Sequence, residues 1–327
     1  MPHTHSPIST DRRTWIRSCA ATIGAAALAN LPLEQRAKAQ VATEPTQGKD
    51  PSWIDAHVHV WPAVDQAYPL APGFQADVVQ PASFTPDTLF QHCRPCGVER
   101  IVLIQMNFFG FDNRYMLDAI AKYPGVFSGV AVIDHERPDL RRTMSTMRDQ
   151  GVRGYRLYAT ADNVAKWQSS PSIQSMFRYG ADLGQSMCML SDPEALEGIE
   201  RLCERNPQTS VVIDHFSRIG MRTPPTDDQL DLLCKLAKSP RVSVKTSAFY
   251  ALGKKTPPYT DLLPMIRRLL DAFGPDRLMW ASDCPYQVEA PHTYDASIAL
   301  IRDHLDNVSD GDREYLLRKT AERVFFS

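Results

Sequence analysis

Eight short apolar runs recur between residues 53 and 282, each followed by a segment with helical periodicity, and this alternation constrains the fold most. The runs are 53–60, 100–106, 126–133, 152–158, 186–190, 209–214, 241–247 and 277–282. Helix starts are readable between several of them. Thr85-Pro86-Asp87 places a cap residue before a proline at the first helical position. Ser191-Asp192-Pro193-Glu194 repeats that logic, Thr260-Asp261 precedes Leu262, and Ser309-Asp310-Gly311-Asp312 opens a last helix running through Glu322. Strand and helix repeated eight times over 53–327 predict one (β/α)8 TIM barrel. An open doubly wound sheet is the rival, but no glycine-rich phosphate turn follows any strand.

Residues 1–39 read differently. Arg12-Arg13 is followed by Trp15-Ile16, then by an alanine-rich stretch from Ser18 to Leu33 and by Ala37-Lys38-Ala39. This resembles a twin-arginine (Tat) export signal cleaved after Ala39, with a polar linker over 40–52. The apolar run is too short for a stable membrane span, which needs about 20 residues. The expectation is a periplasmic or otherwise exported protein, passed by the Tat machinery, with no membrane insertion in the mature form.

Without that leader the chain keeps 31 Lys and Arg against 36 Asp and Glu. It carries no basic stripe with interleaved aromatics, so nucleic acid is excluded as an expected partner. Cys93-Arg94-Pro95-Cys96 is a lone CxxC with no second pair for structural zinc and no following His for haem, and it reads as helix-end cysteines.

The polar chemistry gathers at predicted strand ends, where a barrel of this type places its reactive groups. His57 and His59 alternate on the first strand and so share a face, as half of a metal site or a pair of hydrogen-bond donors. Strand four carries Arg153-Gly154-Tyr155-Arg156, strand six ends Asp214-His215-Phe216-Ser217-Arg218, and strand eight ends Ser282-Asp283-Cys284-Pro285. An HxH after strand one, a His after strand six and an Asp after strand eight, in that order, is specific.

On those motifs the chain resembles the amidohydrolase superfamily, in its amidohydrolase-related lactonase branch. Val102-Leu103-Ile104-Gln105 and Gly110-Phe111-Asp112-Asn113-Arg114 are similar to the 2-pyrone-4,6-dicarboxylate lactonase group. The resemblance runs from Trp53 to the C-terminus. It implies a (β/α)8 hydrolase and, as substrate, a small anionic lactone of muconolactone, pyrone or sugar-acid type, or a related carboxylic acid. Three departures stand out. Strand five ends Met189-Leu190-Ser191-Asp192 without a His, and strand four offers no lysine or glutamate to bridge two metals. Cys284 stands where relatives often carry a tryptophan.

Two designs follow. In one, a single divalent ion, Zn²⁺ first, is held by His57, His59, His215 and Asp283, polarises the ester carbonyl and activates water. In the other, as the resemblance to the pyrone group implies, no metal is needed and the three histidines hold the carbonyl oxygen. Asp283 is the expected general base in both, with His215 and His59 beside it. Arg156 and Arg218 are expected anion clamps, because a guanidinium fork matches a carboxylate or sulfonate. Lys245, alternating with Ser243 and Ser247, and Tyr68, on the long loop after strand one, are further substrate-binding candidates, as is Asn107. Asn113 and Glu136 are weaker ones, and His92 and His135 read as structural or solvated. Decarboxylation or hydration on the same scaffold is an alternative against which the missing strand-five His argues. A barrel that binds an acid without turnover is another.

Overall fold

Each of the eight expected strands forms. In the computed structural model, which describes residues 52–327, they are β1 (Trp53–Val58), β2 (Val98–Ile104), β3 (Phe127–Ala131), β4 (Val152–Ala159), β5 (Ser186–Ser191), β6 (Val211–Ile213), β7 (Val242–Ser247) and β8 (Leu278–Ala281). They pair in parallel in sequence order. Helices lie between them, including α1 (Pro86–Cys93), α2 (Arg114–Lys122), α3 (Leu140–Asp149) and α4 (Ala161–Trp167). Thr85 caps α1 by accepting from the Thr88 amide, as the sequence suggests. Asp192 makes no such side-chain bond. The leader and most of the linker lie outside the described residues.

β1 and β8 close the barrel at their C-terminal ends. The His59 amide donates to the Cys284 carbonyl (2.8 Å) and the Asp283 amide to that of His57 (2.9 Å). Asp55 clasps the same seam: Oδ1 accepts from the amides of Ser282 (2.9 Å) and His57 (3.1 Å), and Oδ2 from the Tyr294 hydroxyl (2.7 Å). Burial lifts its carboxyl to about 6. The two candidate catalytic segments are thereby held to each other by backbone.

The barrel interior is apolar in its lower part, where Ile54, Ala56, Val102, Ile104, Val130, Cys188, Val212 and Met279 pack with Phe325 from the last helix. Ile54 and Ala56 point inward, so strict alternation would turn His57 outward. A bulge prevents this: Asp55 and Val58 face Ile101 and Leu103, three steps against two. His57 and His59 therefore enter the interior above the apolar layers. Gly154 serves the same region, since a Cβ there would lie 2.9 Å from the Ser186 carbonyl oxygen. Cys93 ends α1 and Cys96 closes the following turn, both as free thiols.

Candidate active site

At the top of the barrel the side chains of His57, Arg156, Asp214 and Lys245 form a buried charged floor. Lys245 Nζ lies 3.0 Å from Asp214 Oδ1 and 3.1 Å from His57 Nδ1. Arg156 Nη2 lies 3.2 Å from His57 Nε2 and 3.4 Å from Asp214 Oδ2. Burial opposes the Asp214 charge, but Lys245, His57 and Arg156 outweigh it and hold the carboxyl well below its usual range. Burial and the neighbouring Lys245 push His57 well below the ordinary imidazole range, so it is neutral at neutral pH.

Above this floor stands Asp283. Its Oδ1 is 3.2 Å from His59 Nε2 and 3.5 Å from His57 Nε2; its Oδ2 is 3.8 Å from His215 Nε2 and accepts from the Tyr250 hydroxyl at 2.7 Å. Burial raises the Asp283 carboxyl, yet the imidazoles of His215, His59 and His57 hold it well below the usual carboxylate range, so a proton in this group sits on an imidazole rather than on Asp283. Tyr250 is pushed well above the usual phenol range by burial and by Asp283, so it stays a donor.

The hydrogen bonds behind two of the imidazoles set what they present to Asp283. His59 Nδ1–H donates to the Ile104 carbonyl (2.8 Å), which makes Nε2 the atom that meets the carboxylate. Ser247 Oγ donates to the Lys245 carbonyl (3.4 Å) and so accepts from His215 Nδ1–H (2.8 Å). Burial lowers His215 to about 4, leaving its Nε2 unprotonated at neutral pH. Electron-rich atoms thus face one another with only a proton or a metal ion able to bridge them. His57, His59 and Asp283 each offer a ligand atom, all within 4.8 Å of one another. This donor set fits one divalent ion, provided His57 Nε2 gives up its contact with Arg156. His215 lies outside that three-donor group.

His215 arrives on an unusual backbone. His215, Phe216, Ser217 and Arg218 have φ of 51°, 53°, 55° and 55°, a left-handed turn of four L-residues. Such geometry costs about 1–2 kcal/mol per residue. It is held by buried Phe216, by the Ser217–Ser191 hydroxyl pair at 2.7 Å, and by Ser247 on His215. Residues three apart share a face of such a turn, and His215 and Arg218 both line the cavity. Asp283 is left-handed too, with φ 66°.

The cavity over the site has a volume of about 220 Å³ and includes His59, Asn107, Arg156, His215, Arg218 and Asp283 in its wall. Of the expected substrate-binding residues, Asn107, Arg156 and Arg218 reach it. Arg218 comes already paired, with Nη2 2.8 Å from Asp192 Oδ2. Lys245 does not reach it: fully buried, it sits beneath His57 as the counter-charge of Asp214. Tyr68 is placed elsewhere, bonded to Asp118 (2.7 Å) and packed on Tyr115 at the outer surface. Asn113 braces a loop through the Val132 backbone. Cys284 is buried in the seam, and the aromatic wall comes instead from Tyr250 and Tyr286. The sequence reading missed Asp214 as a site residue, along with Tyr158 and Tyr250. Asp214 was flagged by its place at the end of β6 and Tyr158 by its place two residues after Arg156 on β4; Tyr250 carries no comparable signal.

Fold and site together define a (β/α)8 enzyme of hydrolytic type. Residues 54–326 match the family model described as amidohydrolase, and the chain belongs to that family. It is similar to an L-fucono-1,5-lactonase of Burkholderia ambifaria, 27% identical over 73% of this chain and 82% of the relative. A 2-pyrone-4,6-dicarboxylate hydrolase of Comamonas testosteroni is 25% identical over 76% of this chain and 81% of its own length. Among solved structures, a probable 2-pyrone-4,6-dicarboxylic acid hydrolase of Acinetobacter baumannii, crystallised with citric acid, superposes with a TM-score of 0.72. It is 23% identical and covers 85% of this chain and all of its own.

Proposed function

We propose that the protein opens a small anionic lactone, acting as a hydrolase on a carboxylic ester. The observation that carries this reading is an ionised Asp283 set among three imidazoles and the Tyr250 hydroxyl, beneath a cavity that two arginines border. The lactone hydrolases among its relatives support it.

Asp283 takes a proton from a water molecule as its oxygen adds to the ester carbonyl carbon. The negative charge that develops on the former carbonyl oxygen is met by donors lining the cavity beside Asp283, Arg156 among them. The ring C–O bond then breaks, and the proton held by Asp283 passes to the leaving oxygen, giving a hydroxy acid. Arg156, and Arg218 to the extent that Asp192 leaves it free, orient the substrate's acid group. A divalent ion, Zn²⁺ by the type of donors, would be held by His57, His59 and Asp283 and would supply polarisation of the carbonyl and a lower pKa for water.

A panel of acidic lactones assayed with a pH indicator tests this reading. One acid equivalent released per ring opened is expected. Release of CO₂ from an acid instead identifies a decarboxylase, and saturable binding without turnover identifies an acid-binding barrel. Residues 1–39 are proposed as a Tat leader. Replacing Arg12 and Arg13 by lysine should then retain the protein in the cytoplasm, which cell fractionation reads directly.

A further inference from the structure

A second cavity, of about 330 Å³, adjoins the catalytic one over the C-terminal ends of β2, β3 and β4. Both cavities are lined by Asn107, Arg156 and Tyr158, so the two are neighbours across these side chains. The outer one is walled by Phe111, Val132, Ile133, Leu157 and Trp167, with Asn163, Asp134 and His135 as polar members.

Two independent observations point to a ligand there. The first is Phe111, 63% exposed and, with Val78, one of two large hydrophobic side chains so exposed among the described residues. Its loop is braced: Asn113 Nδ2 donates to the carbonyls of Phe111 (3.0 Å) and Val132 (2.9 Å), and Asn113 Oδ1 accepts from the Val132 amide (3.0 Å). An exposed ring alone is ordinary, but this one is held by those bonds in the wall of the outer cavity, beside Leu157 and Trp167. The second lies where the cavities meet. Arg156 is 94% buried, yet its Nε has no hydrogen-bond partner, and the buried Tyr158 hydroxyl has none either. Buried donors without partners are costly, and both side chains border the two cavities, so a small shift of either brings its donor to a polar group of a ligand there.

We propose that the substrate is an acidic lactone bearing an aromatic substituent, which occupies the outer cavity against Phe111 and Trp167 while Arg156 and Tyr158 hold the acid group at the junction. This rests on the lactone-hydrolase reading and names its substrate class. The active site would then select for a two-part molecule rather than a single small ring.

The test uses two acidic lactones that differ only by a phenyl substituent. The substituted one should have a kcat/KM about 10-fold or more higher. Phe111→Ser, at an exposed position that folding tolerates, should cut that preference to about 3-fold or less through KM and leave the unsubstituted lactone unchanged. Equal kcat/KM for the pair, or equal losses in Phe111→Ser, overturns the subsite and leaves the lactonase reading standing. A second readout needs no turnover: 3-phenylpropionate should quench tryptophan fluorescence saturably. Trp167→Phe should abolish the quenching, and Phe111→Ser should weaken the affinity about 5-fold. Quenching that is absent, or that persists in Trp167→Phe, overturns the subsite. Saturable quenching at Trp167 with every lactone inert supports the subsite and refutes the lactonase reading.

Discussion

His59 donates its Nδ1–H to the Ile104 carbonyl, 2.8 Å away, and so turns Nε2 toward the Asp283 carboxylate at 3.2 Å. Two electron-rich atoms at that distance repel unless something positive joins them. A divalent ion does this without requiring His59 to be protonated. Protein prepared without chelator should therefore contain close to one equivalent of a divalent metal by elemental analysis, and His59→Gln should contain far less. Full lactonase activity in a dialysed, metal-free preparation would instead assign the bridging role to protons.

Asp283→Asn should lower kcat by about 10³-fold or more, the range expected when a general base is removed. The fold should survive, because the Asp283 contribution to the barrel seam is its amide, which donates to the His57 carbonyl at 2.9 Å. Circular dichroism should match the parent protein. Residual activity within 10-fold of the parent would remove Asp283 from the role of base.

The strand count, the strand order and all four central residues were legible in the sequence, because strand periodicity and the His57, His59, His215 and Asp283 spacing are local patterns. The inward turn of His57 was legible only in part. Alternation puts it on the His59 face, but the bulge between Asp55 and Val58 that carries both inward depends on pairing with β2. Lys245 was placed on the correct strand face and assigned the wrong partner. Whether an interior lysine meets substrate or a buried acid depends on depth in the barrel, and here Asp214 lies 3.0 Å from it. Tyr158 was open to the same alternation, two residues after Arg156 on β4, whereas Tyr250 comes from a segment whose course is set by tertiary packing, so no local pattern marks it.

Ser191 lies outside the reacting group yet holds it. Its hydroxyl meets that of Ser217 at 2.7 Å and ties the left-handed turn to the end of β5. Ser191→Ala should loosen that turn, lower stability by about 1 kcal/mol, and reduce kcat more than KM as His215 loses its placement. Ser191→Thr, which keeps the hydroxyl, should recover most of the lost rate. Equal activity in the Ala and Thr variants would show that the turn needs no tie.

Arg218 shares its charge with Asp192 at 2.8 Å, so its pull on a substrate anion is weaker than a free guanidinium's. Arg218→Met is expected to raise KM for acidic lactones by less than about 10-fold, and for neutral ones not at all. Asp192→Asn should act in the opposite direction and lower KM for acidic lactones. Parallel changes for both substrate classes would mean that Arg218 shapes the wall rather than reading charge.

Asp55 is the buried acid at the barrel seam, and its carboxyl is raised from 3.8 to about 6, chiefly by burial. A raised carboxyl favours the protonated native state. Its contribution to stability is complete below the unfolded value near 3.8 and is lost as pH rises through about 6. The ionised form then costs on the order of 3 kcal/mol relative to the protonated one. Asp55→Asn keeps an oxygen for the Ser282 and His57 amides without the charge. In metal-free protein, the melting temperature of the Asn variant relative to the parent should therefore climb between pH 4 and pH 7. A difference that stays flat across that interval would mean that Asp55 is fully ionised, or fully protonated, throughout it, and that the amides of Ser282 and His57 rather than proton uptake govern the seam.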